Sequence, residues 1–430
     1  MKILKRGDTG PSVQLLQLGL RRAGYSPGAA DGIFGAATER ALRAFQSAKG
    51  LTPDGVYGPA SHRAMLPYYL GYIHHTLRRG DTLFRVAGLY GSTVSAIETA
   101  NPGLDPLNLR VGTTVVVPLP FDVVPTDIAW TSNLVSYCVR GLAARYPFIS
   151  VGDFGRSVMG RPLYYMRLGA GENRVIYNAS HHANEWITTP VLMKFAEDTA
   201  RAYAGGGEIF DIPAADIFSA STIYIAPAVN PDGIDLVTGE LNSGAYYDAA
   251  ADIGENYPSI PFPSGWKANI RGTDLNLQYP AGWEQAKEIK FAQGFTSPAP
   301  RDYVGTAPLS APESRGMYDF TVNIDPALTL SYHTQGQVIF WKYLDMEPPM
   351  AREIAEEFSS VSGYAVEDTP YASGFAGYKD WFVLSYDRPG YTIEAGLGQN
   401  PLPVSQFDRI YADNLGILVL GAVLTSPEFQ

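Results

Sequence analysis

Apolar residues recur along this chain with more than one period, and the places where the period changes divide it. Val13, Leu16 and Leu20 share one helical face and Ala41, Leu42 and Phe45 share another, so the first segment predicts a small α-helical bundle. A short repeat lies within it: Asp31-Gly32-Ile33-Phe34-Gly35 returns as Asp54-Gly55-Val56-Tyr57-Gly58, each copy reading as a turn that buries an aromatic. From Tyr72 the pattern predicts a strand with a Gly80-Asp81 turn, then a short amphipathic helix near residues 84–90. Asn101-Pro102-Gly103-Leu104 reads as the start of a second helix, and 109–118 as a closing strand. That order, βααβ, describes a small α+β module. Residues 118–125 are proline-rich and mark a boundary. Strands and helices alternate beyond it, which predicts an α/β domain with a mixed or parallel sheet covered on both faces. The expected spans are 1–68, 72–120 and 122–430.

In the third span, Ser150-Val151-Gly152-Asp153 and Pro162–Leu168 read as two strands around a Gly160-Arg161 turn. Residues 174–177, 221–229, 327–333 and 390–396 read as further strands, and 188–203 as a helix. His182 and Glu185 follow the strand at 174–177 at a spacing that can seat a metal, on the turn where open α/β sheets place their ligands. A catalytic zinc needs three protein ligands and an open position. Of the six histidines, His62, His74 and His75 fall in the first two modules, and His181 is one residue too far from Glu185 for the motif. His333, at the end of the strand 327–333, remains as the third ligand, with ordinary hydrogen-bonded histidines near a sheet edge as the alternative.

Composition narrows the classes further. A chain of 430 residues exceeds a single core and predicts two or three domains. Its net charge of -11 argues against nucleic acid or anionic lipid as partners, since both reward clustered Lys and Arg. One cysteine, Cys138, excludes an intramolecular disulfide framework. No stretch reaches membrane-spanning length, so no membrane insertion is expected. The first residues lack a signal peptide's apolar core, which leaves cytoplasmic or spore-associated action, or non-classical release, beside a place at the cell wall.

The order Gly7-Asp8, Val13, Leu16-Gln17, Leu20, Gly24-Tyr25, the first repeated loop, Thr38, Ala41-Leu42, Phe45-Gln46 and Gly50-Leu51 resembles the peptidoglycan-binding domain family. The module from Tyr72 resembles a LysM domain, a family that binds N-acetylglucosamine chains. Gly160-Arg161-Pro162-Leu163, His182-Ala183-Asn184-Glu185, Asn230-Pro231-Asp232-Gly233, Asp274-Leu275-Asn276, His333 and Glu394 occur in the order seen in zinc carboxypeptidases of the M14 type. Ser180 to Trp186, Trp266-Lys267-Ala268-Asn269 and Ser331 to Gly336 look most like the branch of gamma-D-glutamyl-L-diamino acid endopeptidases.

That resemblance implies one zinc per chain on His182, Glu185 and His333, with Glu394 as general base and Asp274 orienting the first histidine. It implies a cation for the oxyanion, Lys267 or Arg271, a mobile tyrosine at Tyr371 or Tyr378, and substrate contacts by Asn276 and Lys379, whose ammonium would suit an acidic group. The sequence departs from the carboxypeptidase pattern at Leu277, where arginine usually clamps a free C-terminus. The expected function is hydrolysis of the gamma-D-glutamyl to L-diamino acid amide, diaminopimelate or lysine, in peptidoglycan stem peptides, with glycan strands as the partner of the first two modules. Trimming of terminal residues from stem peptides, or wall binding by a catalytically inactive protein, are the alternatives.

Overall fold

Two buried glutamines organise the first seventy residues. In the computed structural model, which describes residues 2–427, Gln17 lies on helix α1 (Pro11–Arg22) and Gln46 on α2 (Ala36–Ala48). Gln17 Nε2 reaches Asp31 Oδ1 at 2.8 Å, the Ile33 carbonyl at 3.2 Å and Thr38 Oγ1 at 3.2 Å, while its Oε1 accepts from the Gly32 amide at 2.9 Å. Gln46 repeats the pattern on Asp54, the Val56 carbonyl, Ser61 and the Gly55 amide. A primary amide supplies both donors and acceptor, which is what a turn with inward-facing backbone groups requires. Gly32 and Gly55 both stand at φ 74, a left-handed conformation that costs glycine little. Phe34 and Tyr57 from the two turns enter one core with Leu16, Leu20, Leu42 and Phe45, closed by α3 (Pro59–Leu70).

The next segment is β1 (Tyr72–Thr76), α4 (Leu83–Tyr90), α5 (Val94–Ala100) and β2 (Thr114–Pro118), the strands antiparallel, with a core of Leu77, Leu83, Val86, Ile97, Val115 and Val117. The second helix differs from the sequence expectation: it ends at Ala100 instead of starting near Asn101. Thr93 caps its start by accepting from the Ala96 amide, and Asn101 closes it, bonding the Ile97 carbonyl and both backbone groups of Val116. Clustering of contacts gives two compact units, Met1–Ala129 with Asn133–Ser150, and Trp130–Ser132 with Val151–Gln430. Most of helix α6 (Ser132–Arg145) therefore falls in the first unit, where Arg145 donates to the carbonyls of Gly71 and Leu119.

The second unit carries a mixed sheet of eight strands: β3 (Ser150–Arg156), β4 (Pro162–Leu168), β5 (Asn173–Ala179), then, after a small hairpin of β6 (Glu208–Ile209) and β7 (Ile212–Pro213), β8 (Ser221–Ala226), β9 (Leu328–His333), β10 (Val338–Phe340), β11 (Ala365–Glu367) and β12 (Gly390–Glu394). The order across it is β11-β10-β12-β9-β5-β8-β4-β3. Its centre, β8, β5, β9 and β12, is parallel and almost wholly buried, as expected of strands covered on both faces. The chain leaves β5, passes through α7 (Thr188–Gly205) to β8 on one side, and later takes up β9 on the other. That reversal opens a crevice at the carboxyl ends of β5 and β9. Among the described residues no helix is long and apolar enough to cross a membrane.

Gln46→Leu is expected to free the second turn. Its buried amide partners lose their acceptor and donor at a cost of about 1–3 kcal/mol per unsatisfied group, and the amides of Gly55 and Val56 should lose hydrogen-exchange protection while those of Gly32 and Ile33 keep theirs.

Candidate active site

The crevice is built where β5 ends. Ser180 takes φ 55, in the left-handed region, and turns the chain out of the strand. Its hydroxyl is held 3.0 Å from Thr188 Oγ1 and 2.9 Å from Thr189 Oγ1, at the start of α7. Non-glycine residues held there typically cost ~1–3 kcal/mol, so the surroundings must impose the turn. The 3-10 turn Ala183–Glu185 follows, with Asn230 Nδ2 bracing it from below through the carbonyls of His181 and Ala268. Asn230 opens a helix whose Asp232 takes Arg161 Nη1 at 2.5 Å, Ser157 Oγ and the Met159 amide. The Gly160-Arg161 turn and the Asn230–Gly233 motif are thus one buried brace.

His182, Glu185 and His333 converge. His182 Nδ1 lies 3.0 Å from Glu185 Oε1, and His333 Nδ1 lies 2.9 Å from Glu185 Oε2 and 3.2 Å from His182 Nδ1. The donor atoms fall within 4.8 Å of one another, and Glu185 is buried. Asp274 Oδ1 sits 3.2 Å from His182 Nε2, a placement that keeps a proton on Nε2 and turns Nδ1 inward. Two imidazole nitrogens and a carboxylate facing one point form a donor set that suits zinc. His181 is fully buried against Tyr279, 2.9 Å from its hydroxyl, and stands outside this set.

Burial opposes ionisation of His182, but Glu185 outweighs it and pushes the imidazole up to about 9. Glu185 itself is held well below the carboxylate range in spite of burial, by His182 and Lys267. Lys267 Nζ is 2.9 Å from Glu185 Oε1. Glu394 behaves oppositely: burial, then the field of Glu185, raise it to about 8, with Lys267 and His182 opposing. It pairs in register with His333 across β12 and β9, which sets both side chains at the same strand ends.

A cavity of about 670 Å³ opens over the cradle, and its lining separates the expected residues. His182, His333, Lys267, Asp274, Asn276, Lys379 and Glu394 line it, as does Leu277. Arg271 does not: it is exposed, on a turn whose shape Asn269 fixes by accepting from the amides of Arg271 and Thr273. Tyr371 is 65% exposed on a turn flanked by Pro370 and Ser373, which do line the cavity. Tyr378 is buried, its hydroxyl 2.8 Å from Thr321 Oγ1, and only its amide reaches Asn276. Lys379 is buried too, and its ammonium is committed to Asp380, the Lys342 carbonyl and Thr369. The lining also holds Arg301 and Lys290, which no motif or period marks in the sequence.

A family profile described as zinc carboxypeptidase matches residues 136–416. Profiles described as putative peptidoglycan binding domain and LysM domain match 9–65 and 75–118. The gamma-D-glutamyl-L-diamino acid endopeptidase 1 of Lysinibacillus sphaericus is 43% identical over 288 residues, 66% of this chain and 70% of that protein. An uncharacterized Bacillus subtilis (strain 168) protein, YqgT, is 40% identical over 277 residues, 64% of this chain and 72% of that one. Among solved structures, bovine thrombin-activatable fibrinolysis inhibitor, in complex with tick carboxypeptidase inhibitor, superposes with a TM-score of 0.54 at 20% identity, over 70% of this chain and 98% of that chain, a likeness of fold.

Elemental analysis is expected to find one zinc per chain, and His333→Ala to lose it, since two donors are too few for a stable site. Chelation should lower the melting temperature of the native protein and leave that of His333→Ala unmoved, because a ligand stabilises only the state it binds.

Proposed function

The chain belongs to the zinc carboxypeptidase family, and from that premise we propose that it hydrolyses the amide between gamma-D-glutamate and an L-diamino acid in peptidoglycan stem peptides. The observation that carries the reading is the buried His182, Glu185 and His333 cradle with Glu394 beside it at paired strand ends. Bound there, zinc supplies a Lewis acid for the scissile carbonyl and makes water nucleophilic at neutral pH. Glu394 takes the proton of the attacking water and returns it to the leaving amine. Its raised affinity for a proton suits that second task. Lys267 faces the negative charge that grows on the carbonyl oxygen. Asp274 holds His182 in one tautomer, and Asn276, whose Oδ1 accepts from the Tyr378 amide and whose own amide donates to Asp274, would offer Nδ2 to the substrate. Tyr371, on its exposed turn, would fold over a bound peptide.

Leu277 lines the cavity where a carboxypeptidase would present arginine to a free C-terminus, which favours internal amide cleavage over trimming. The 43% identity to the Lysinibacillus sphaericus endopeptidase supports the same bond. The peptidoglycan-binding and LysM segments would hold the enzyme on its polymer. A tethered catalytic unit meets stem peptides at a high effective concentration without new contacts in the cleft.

Mass spectrometry of digests of L-Ala-gamma-D-Glu-meso-diaminopimelate tests the reading: L-Ala-D-Glu and free diaminopimelate are expected, and release of terminal residues alone from tetrapeptides would overturn it. Glu394→Gln should reduce turnover by at least ~10²–10⁴ while keeping its zinc, and turnover within threefold of the native protein would place the base elsewhere. The same variant, unable to digest its target, is expected to pellet with insoluble peptidoglycan and to be displaced by soluble N-acetylglucosamine oligomers.

A further inference from the structure

A gamma-glutamyl amide differs from an ordinary peptide in one respect that a cleft can read. The acyl residue is linked through its side chain, so its own α-carboxylate hangs free, four bonds from the scissile carbonyl. A cleft cutting this bond by choice needs a cation on the acyl side, set apart from the one that meets the oxyanion.

Most of the cavity lining comes from two stretches of the chain. One lies between residues 259 and 302 and carries Lys267, Lys290 and Arg301. The other lies in residues 338–400 and carries Lys379, Asp380 and Glu394. Leu277 stands where a carboxypeptidase would hold the C-terminal half, and its neighbour Asn276 accepts from the Tyr378 amide, so the departing diamino acid lies on the side of Tyr378 to Asp380 and the acyl half lies on the side of Lys267.

Three of the four lysine and arginine side chains in the lining are committed. Lys379 is closed by Asp380, Lys342 and Thr369. Lys290 is paired with Asp302 Oδ1 at 2.7 Å, and Lys267 with Glu185. Arg301 differs. Its Nε meets Asp302 Oδ2 at 2.5 Å, and among the described residues its two terminal nitrogens have no partner, on a side chain 43% exposed. Asp302 therefore carries two cations on one charge, and the excess sits on the open guanidinium.

The loop that carries Arg301 is fixed to the catalytic loops. The Pro300 carbonyl accepts from the amides of Lys267 and Ala268, and the Asp302 amide donates to Asp274 Oδ2. Burial works against the charge of Arg301, and Asp302, Asp274 and Glu185 outweigh it, so those carboxylates lie within electrostatic reach. The guanidinium therefore stands on the Lys267 side of the cleft, with the planar fork that binds a carboxylate through two parallel hydrogen bonds.

We propose that Arg301 determines specificity by binding the free α-carboxylate of the gamma-glutamyl residue, so that the enzyme prefers gamma-D-glutamyl over gamma-D-isoglutaminyl stem peptides. The proposal rests on the gamma-glutamyl reading above.

Three substrates test it: L-Ala-gamma-D-Glu-meso-diaminopimelate, its counterpart with the glutamyl α-carboxylate amidated, and a third with only the L-centre carboxylate of diaminopimelate amidated. The zinc-loaded native enzyme should favour the first over the second by at least ~10-fold in kcat/KM, mostly through KM. Arg301→Gln should bring that ratio close to one, and Arg301→Lys should restore part of it. Equal rates on the first two by the native enzyme, or a ratio that survives Arg301→Gln, overturn the proposal and leave the gamma-glutamyl reading standing. A variant that loses discrimination against the third substrate instead would place Arg301 on the leaving side and overturn it too. No release from any of the three by the native enzyme would overturn the gamma-glutamyl reading itself, and the proposal with it.

Discussion

The site depends on one buried anion. Glu185 is 1% exposed and ionised, and each of its oxygens is answered: Oε1 by His182 Nδ1 and Lys267 Nζ, Oε2 by His333 Nδ1 and the Thr334 amide. A lone carboxylate at that depth would take up a proton. The groups that prevent this arrive from three separate stretches: the turn after β5, the loop at Lys267 and the end of β9. Removing one partner of a buried ion pair typically costs about 3–5 kcal/mol, so their positions are tied to one another through this carboxylate. A cation bound there would take the place of the shared proton, and the same two imidazole nitrogens, once deprotonated, would turn their lone pairs to it. What keeps Glu185 soluble in the protein interior is what makes the cradle.

A second tier keeps the first from relaxing. Lys267 is carried on a loop whose Asn269 donates to the buried Glu313 and accepts from two amides, while Trp266 Nε1 donates back to the Asn269 carbonyl. Asp232, Arg161 and Ser157 close the floor below His182, and Asp235 takes Arg161 and Ser132 beside them. These polar groups are deep and nearly all paired. That is the condition under which a buried network fixes one arrangement instead of destabilising the fold.

The three residues of the cradle were legible because chemistry and pattern coincide at them: each lies at or just past the end of an apolar strand, and the chain offers few other histidines. Glu394 was legible for a related reason, as an acid in an otherwise apolar strand. The pairing of Glu394 with His333 was not, since it joins strands far apart in sequence and depends on register. Asn101 was misplaced because Asn-Pro reads equally well as a helix start, and its true role, closing one helix while clamping β2, is a tertiary contact. Arg271 and Arg301 show the limit most directly. Arg271 stands beside the Lys267 motif yet turns to solvent, whereas Arg301, in a proline-rich loop without periodicity, is brought to the cleft by two backbone bonds to the Pro300 carbonyl.

Charge adds a last constraint on how such an enzyme would meet its polymer. The chain carries a net charge of -11, and stem peptides are themselves acidic, so the long-range field offers no attraction. At physiological salt the field fades over about 8 Å, which leaves recognition to contacts inside the cleft. There Lys290 and Lys379 are spent on protein carboxylates, Lys267 would be shared between Glu185 and the scissile carbonyl, and an open guanidinium is the group free to answer a substrate carboxylate on contact. Attraction at a distance has to come from another source. Neutral glycan is the part of the wall that an acidic protein can approach without repulsion, and this is the part that LysM-type and peptidoglycan-binding segments would hold. On this reading the division of labour follows from charge: uncharged sugar keeps the enzyme near, and a single arginine selects the bond.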